Sequence, residues 1–121
     1  MSQPNTANWI RLGLLALPVY GLLTCWTTLD PQPNPTTDYE AWARYASTNY
    51  YVLKHLLGSI LGLVFAIFGV FALGAYLANG RARGLGLAAI VITVTANALF
   101  LPIGGVSAFS APEAGRASLR A

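Results

Sequence analysis

Three stretches of this chain, Leu12 to Leu29, Leu56 to Ala78 and Leu85 to Pro112, contain no charged residue, and each is at least 18 residues long. Roughly that many consecutive apolar residues is what a helix needs to cross a bilayer. The chain is 55% hydrophobic and 9% charged, against roughly 25% charged residues in ordinary soluble domains. The fold class expected is therefore all-α: an integral membrane protein with three transmembrane helices in an antiparallel bundle, joined by a short interfacial amphipathic helix.

The segments follow from the punctuation. Residues 1–8 form a polar terminus, with Asn8 placed to cap a first transmembrane helix over 9–29. The uncharged core of that helix would span about 27 Å at 1.5 Å per residue, with Trp9 and Trp26 set for the two interfaces. Pro18 lies inside it, which transmembrane helices tolerate when neighbours satisfy the freed carbonyl. Pro31, Pro33 and Pro35 exclude regular helix and mark an extended connection. Thr37 or Asp38 can cap a helix in which Tyr39, Trp42, Tyr45 and Ala46 recur at helical spacing and Glu40 pairs with Arg44 four residues on. This is the interfacial helix of an outer loop over 30–49. Ser47-Thr48-Asn49 is a natural break before the second span, although one unbroken helix from 38 to 78 satisfies the same pattern.

The second transmembrane helix covers 50–79, with Asn79-Gly80 suited to a left-handed cap. A basic turn over 80–84 is so short that the third helix, 85–109, must run back antiparallel beside the second. Pro102 and Gly104-Gly105 should bend or fray its end, and residues 110–121, small and weakly polar, read as a flexible tail. Arg81 and Arg83 place the turn in the cytoplasm with the N-terminus and Arg11. A bacterial cytoplasmic membrane with the N-terminus inside is the expected location. Four basic residues then lie outside against three inside, and an odd number of spans strands a basic tail outside, which fits a fragment whose fourth helix is missing.

Gly58, Gly62, Ala66 and Gly69 fall on one stripe of the second span, a GxxxG-type pattern that lets helix backbones approach closely. The turn makes the third helix its nearest partner, with Gly84, Ala88 and Ala89 as a matching small face, while Leu61, Phe65, Phe68 and Phe71 form the bulky side. Thr93 and Asn97 share a face of the third helix at mid-membrane, where a carboxamide must find a partner. Lys54 and His55 begin the second span as interfacial polar residues, the lysine snorkelling to the headgroups.

Leu22-Leu23-Thr24-Cys25 resembles a bacterial lipoprotein tetrad, but Thr24 replaces the usual smaller residue and two further apolar runs follow. The first helix is read as uncleaved, with Cys25 a buried small hydrophobe. A single histidine cannot supply bis-histidine haem ligation, and metal-ligand spacing, an intramembrane carboxylate and a nucleophile with a base in register are all missing. Asp38, Glu40, Arg44, Lys54 and His55 gather at the outer loop as a solvated, self-compensating face. No cofactor and no catalysis are expected, and the scattered basic residues give no nucleic-acid stripe. Partners are the lipid bilayer and either further copies of the chain or other membrane subunits. The expected function is that of a non-catalytic membrane subunit or assembly protein; the other reading is an oligomeric transport or channel component with a polar path along the third helix.

Overall fold

The computed structural model of the chain describes residues 6–78 and 80–121, with side chains from residue 8 onward. These residues are helical throughout apart from short connections, with no strand among them. Helix α1 spans Thr6–Leu29 and α2 Tyr39–Ala46. Helix α3 runs without interruption over Asn49–Leu77 and α4 over Arg83–Arg120. Three of the four, α1, α3 and α4, are long and apolar enough to cross a membrane.

The break between α2 and α3 falls where the hydroxyl residues stand. Thr48 is extended (φ −80°, ψ 150°) and its side chain accepts a hydrogen bond from Tyr51 N–H, which starts α3 afresh. Asp38 does the same for α2, accepting from Ala41 N–H at 2.9 Å. In the connecting loop, the Asn34 side chain accepts from both the amide and the hydroxyl of Thr36 at 2.9 and 2.7 Å. That local turn orders a segment whose prolines remove its own donors.

Several boundaries differ from the expected ones. Helix α1 is already formed at Thr6, so Asn8 lies within its first turns; residues 1–5 are outside the described residues. Among the described residues no glycine has positive φ, so no left-handed cap is seen at Gly80, and Asn79 is outside the described residues. The largest departure is the tail: residues 111–120 are helix continuous with α4. Pro102 costs one backbone bond without ending the helix. Beyond it, a π-helical turn at Val106–Ser110, closed by Ala111 N–H donating to Val106 O, carries the chain onward. Alanine-rich sequence sustains the helix there, and its buried side is what holds it. Pro112 is buried and Gly115 presses against α2, whose Ala43 and Ala46 are fully buried.

Helix α3 is the centre of the bundle. Helix α1 packs along one side of it and α4 along another, while α1 and α4 share no substantial packing. Both flanking helices are antiparallel to α3: Gly13, Leu17 and Thr27 meet Ala72, Gly69 and Gly58, and Gly86, Ile90 and Gly104 meet Leu77, Gly74 and Ser59. The small stripe of Gly58, Gly62, Ala66 and Gly69 is buried, but it faces α1, not the third long helix named by the turn. A Cβ on Gly58 would lie 2.6 Å from Thr27 Oγ1, and one on Gly69 would overlap the Leu17 side chain. Helix α4 takes the neighbouring face, through Gly86 and Gly104, leaving Gly84 in open space and Ala88 and Ala89 exposed. Phe68 and Phe71 point outward, as expected for the bulky side.

A polar groove at the loop end as candidate functional site

The end of the bundle that carries the 30–38 loop also carries its polar chemistry. Lys54, one turn and a half into α3, does not snorkel. Its side chain is only 2% exposed, and Nζ donates to Asp30 Oδ2 at 2.9 Å, to the Asp30 carbonyl at 3.3 Å and to Tyr45 Oη at 3.3 Å. An ammonium has three N–H donors, and three acceptors surround it. Tyr45 in turn donates its hydroxyl to Asp30 Oδ2 at 3.1 Å. The loop carboxylate, a tyrosine of α2 and a lysine of α3 thus form a clasp tying three elements together.

The electrostatics of the clasp follow from those contacts. The Lys54 ammonium, hydrogen-bonded to Asp30, holds its carboxyl below the ordinary value of 3.8 against an opposing desolvation cost. Burial pushes the Tyr45 phenol upward, so it stays a neutral donor. Lysine was buried here because an acid 24 residues upstream is folded back over it.

His55 follows immediately. Its Nδ1 lies 2.9 Å from Tyr51 O and its ring stacks at 4.1 Å on Tyr51. A carbonyl only accepts, so Nδ1 carries the proton and, in the neutral ring, Nε2 is left an acceptor. Beyond His55 the helix widens into a π-helical turn, Leu56–Leu61, closed by Gly62 N–H donating to Leu57 O. Such turns insert a residue into the helical phase and recur at functional sites.

The widened turn forms the floor of a recess of about 420 Å³ between α1 and α4. Gly58 and Ser59 supply that floor, Thr24, Thr27 and Thr28 one wall, and Gln32 and His55 the roof. Away from the loop the lining turns apolar, with Leu63 and Phe100. Thr27 satisfies its hydroxyl on the carbonyls of Leu23 and Thr24 at 3.0 and 3.1 Å. Ser59, Thr24, Thr28 and Gln32 have no side-chain partner among the described residues. His55 and Gln32 also border a second recess, of about 430 Å³, beneath Trp42 and beside Ser107.

The remaining sequence candidates are dispersed. Asn97 Nδ2 donates to the Thr93 carbonyl one turn back, at 2.7 Å, so its amide is engaged within its own helix. Thr93 borders a crevice of about 80 Å³ between α3 and α4. The outer charges do not share one surface: Glu40 pairs with Arg44, Asp38 caps α2, and Lys54 is inside. Cys25 is exposed, because α1 turns that side away from α3. Sequence reasoning missed Asp30 and the hydroxyl set on α1, although Tyr20, Thr24, Thr27 and Thr28 stand at helical spacing on one face. No group of three or more metal-ligating side chains occurs among the described residues. Comparison with protein-family models, curated proteins and solved structures finds no match to this chain.

Proposed function

We propose that the chain is a small multi-pass membrane protein acting as a non-catalytic subunit or assembly partner, its working part being its helix surfaces. The observation that carries this reading is how little of its apolar length the chain covers by itself. Within their most apolar windows, only 6% of α1 and 6% of α4 is buried, against 33% of α3. Leu15, Leu22, Leu85, Ile92 and Leu99 are each more than 60% exposed. In water such surface would drive aggregation; in a bilayer it meets lipid or further helices.

Two features support the membrane setting. Trp9 and Tyr76 lie towards the turn end, Trp26 and Tyr50 at the loop end, an arrangement of aromatic belts. At the turn end stand Arg11, Arg81 and Arg83, with no ion pair among the described residues, whereas three of the four basic residues at the loop end, Arg44, Lys54 and Arg116 but not Arg120, pair with a carboxylate. Unneutralised arginines suit the anionic cytoplasmic leaflet, which supports the reading with the N-terminus inside. For association, an apolar recess of about 560 Å³ beside the α1–α3 seam, bordered by the exposed Trp9, Leu12, Phe68 and Phe71, offers a surface to a further helix.

Carbonate extraction followed by cysteine labelling tests the reading. In a Cys25→Ser background, Ser2→Cys and Arg83→Cys should both resist an impermeant maleimide applied from outside, while Thr36→Cys reacts. Opposite reactivity of positions 2 and 83, or release of the protein by carbonate, refutes it. Cross-linking in native membranes should then yield a defined homo- or hetero-oligomer; a strict monomer overturns the subunit role.

A further inference from the structure

We propose that the groove between α1 and α4 binds a membrane lipid whose head is uncharged and carries a free hydroxyl, of the diacylglycerol type. The inference rests on the membrane reading above and adds a ligand to it.

The placement of the groove comes first. The charge-free run of α3 begins at Leu56, and Ser59 stands about 5 Å further in at 1.5 Å per residue. Thr24, Thr27 and Thr28 occupy the last turns of α1. The recess therefore crosses the depth at which a bilayer changes from polar headgroups to hydrocarbon. It opens sideways, because α1 and α4 pack on α3 but not on one another. Its lining is graded in the same sense, from His55 and Gln32 through the hydroxyls to Leu63 and Phe100. That is the polarity profile of a diacyl lipid entering from the side, with its chains left in the membrane.

Hydrogen-bonding chemistry then selects the head. Lys54 lines the groove, yet all three of its N–H donors face acceptors of the clasp and its charge is balanced by Asp30. Among the residues that line the groove, no lysine or arginine is left free to neutralise a phosphate. His55 in its neutral form, with Nδ1 engaged by Tyr51 O, presents Nε2 as an acceptor that a ligand hydroxyl can fill. Ser59, Thr24 and Thr28 have hydroxyls without partners and can donate to ester carbonyls. Unpaired polar groups facing hydrocarbon are costly. A glycerol hydroxyl with two neighbouring esters supplies both the donor and the acceptors. An oxidised quinone has acceptors only, and phosphatidate brings charge that nothing here offsets.

The test uses the full chain in phosphatidylcholine nanodiscs with diazirine-bearing diacylglycerol, phosphatidylcholine and phosphatidate at equal mole fraction, mapped by mass spectrometry. The diacylglycerol probe should label peptides containing residues 20–28 and 55–63 several-fold more than the other two, and dioleoylglycerol should compete it away. Ser59→Ala and Thr24→Val keep the shape while removing a hydroxyl, and each should lower labelling about fivefold, the worth of one hydrogen bond. Thr28→Val, on the exposed rim, provides a variant whose folding is not in question. Equal labelling by all three lipids, or labelling indifferent to these substitutions, overturns the proposal. A chain that inserts but shows no preference defeats this inference alone, whereas one released by carbonate defeats the membrane reading.

Discussion

Lys54 Nζ sits 2.9 Å from Asp30 Oδ2, and the lysine is buried while the aspartate keeps about a quarter of its side chain exposed. The asymmetry decides what each substitution does. Removing the aspartate leaves an ammonium that is only 2% exposed without its counter-charge, the costly way to break a buried pair. Removing the lysine leaves a carboxylate that can turn to solvent. Asp30→Ala should thus lower the thermal midpoint in mild detergent more than Lys54→Met, and Asp30→Ala/Lys54→Met should recover part of the loss. Static light scattering during a thermal ramp reads all three; equal loss in both single variants would contradict the asymmetry.

Acid should open the same clasp. The Asp30 carboxyl is held below its ordinary value of 3.8 by the Lys54 hydrogen bond. A depressed folded-state value means that the unfolded chain binds the proton first. The stabilisation is then complete above about pH 4 and drains away as pH falls through the lower, folded value. Protease cleavage in the 30–38 loop should be flat from neutral pH down to that point and rise below it. Asp30→Asn should abolish the dependence.

The three long helices were legible because charge-free length alone identifies them, whereas the sequence left 38–78 open as one helix or two, and the Thr48 side chain, capping the next helix's amides, makes it two. Partner choice was not legible. The short turn guarantees that α4 lies beside α3, but it does not say which face it meets, and Gly58 and Gly69 face Thr27 and Leu17 of α1 instead. Small residues on α1, Gly13 and Ala16, carried that signal. For Lys54, a long side chain near an interface reads equally as snorkelling or as paired. Only the fold-back of the proline loop brings Asp30 to it. The tail misled for a related reason: Ala111 to Arg120 gains its order from Ala43 and Ala46 of α2, a contact between segments more than 60 residues apart.

The α1–α3 seam makes a graded prediction. A Cβ on Gly58 would lie 2.8 Å from Thr27 Cβ, the rigid part of a side chain, whereas one on Gly62 meets nothing closer than 3.5 Å. Gly58→Ala should destabilise by about 1–3 kcal/mol, the usual range for overpacking, and Gly62→Ala by much less. Phe68→Leu, on the outward side, should also be mild. Midpoints of unfolding in mixed micelles give the ranking, and a Gly62→Ala variant as damaged as Gly58→Ala would mean the seam lies elsewhere.

The cap formed by α2 and the end of α4 should detach as a unit without unravelling the bundle. Its closest approach is at Gly115, where an added Cβ would lie 2.8 Å from Ala43 O and 3.0 Å from Ser47 Oγ. Ser47 Oγ is itself committed to Ala43 O at 2.7 Å, so it cannot move aside without losing that bond. Gly115→Val therefore has to push the helices apart. The long helices below depend on other contacts: Gly86 against Leu77 and Gly104 against Ser59 on α4, and Thr27 against Gly58 on α1. Hydrogen exchange in nanodiscs should accelerate over residues 39–47 and 111–120 in this variant, while residues 62–77 stay protected as in the parent. The Lys54 clasp also holds α2, through Tyr45, so exchange should stop short of the fully unfolded rate at Tyr45 unless Asp30→Ala is added. Loss of protection along α3 in Gly115→Val alone would mean that the cap and the bundle are one cooperative unit.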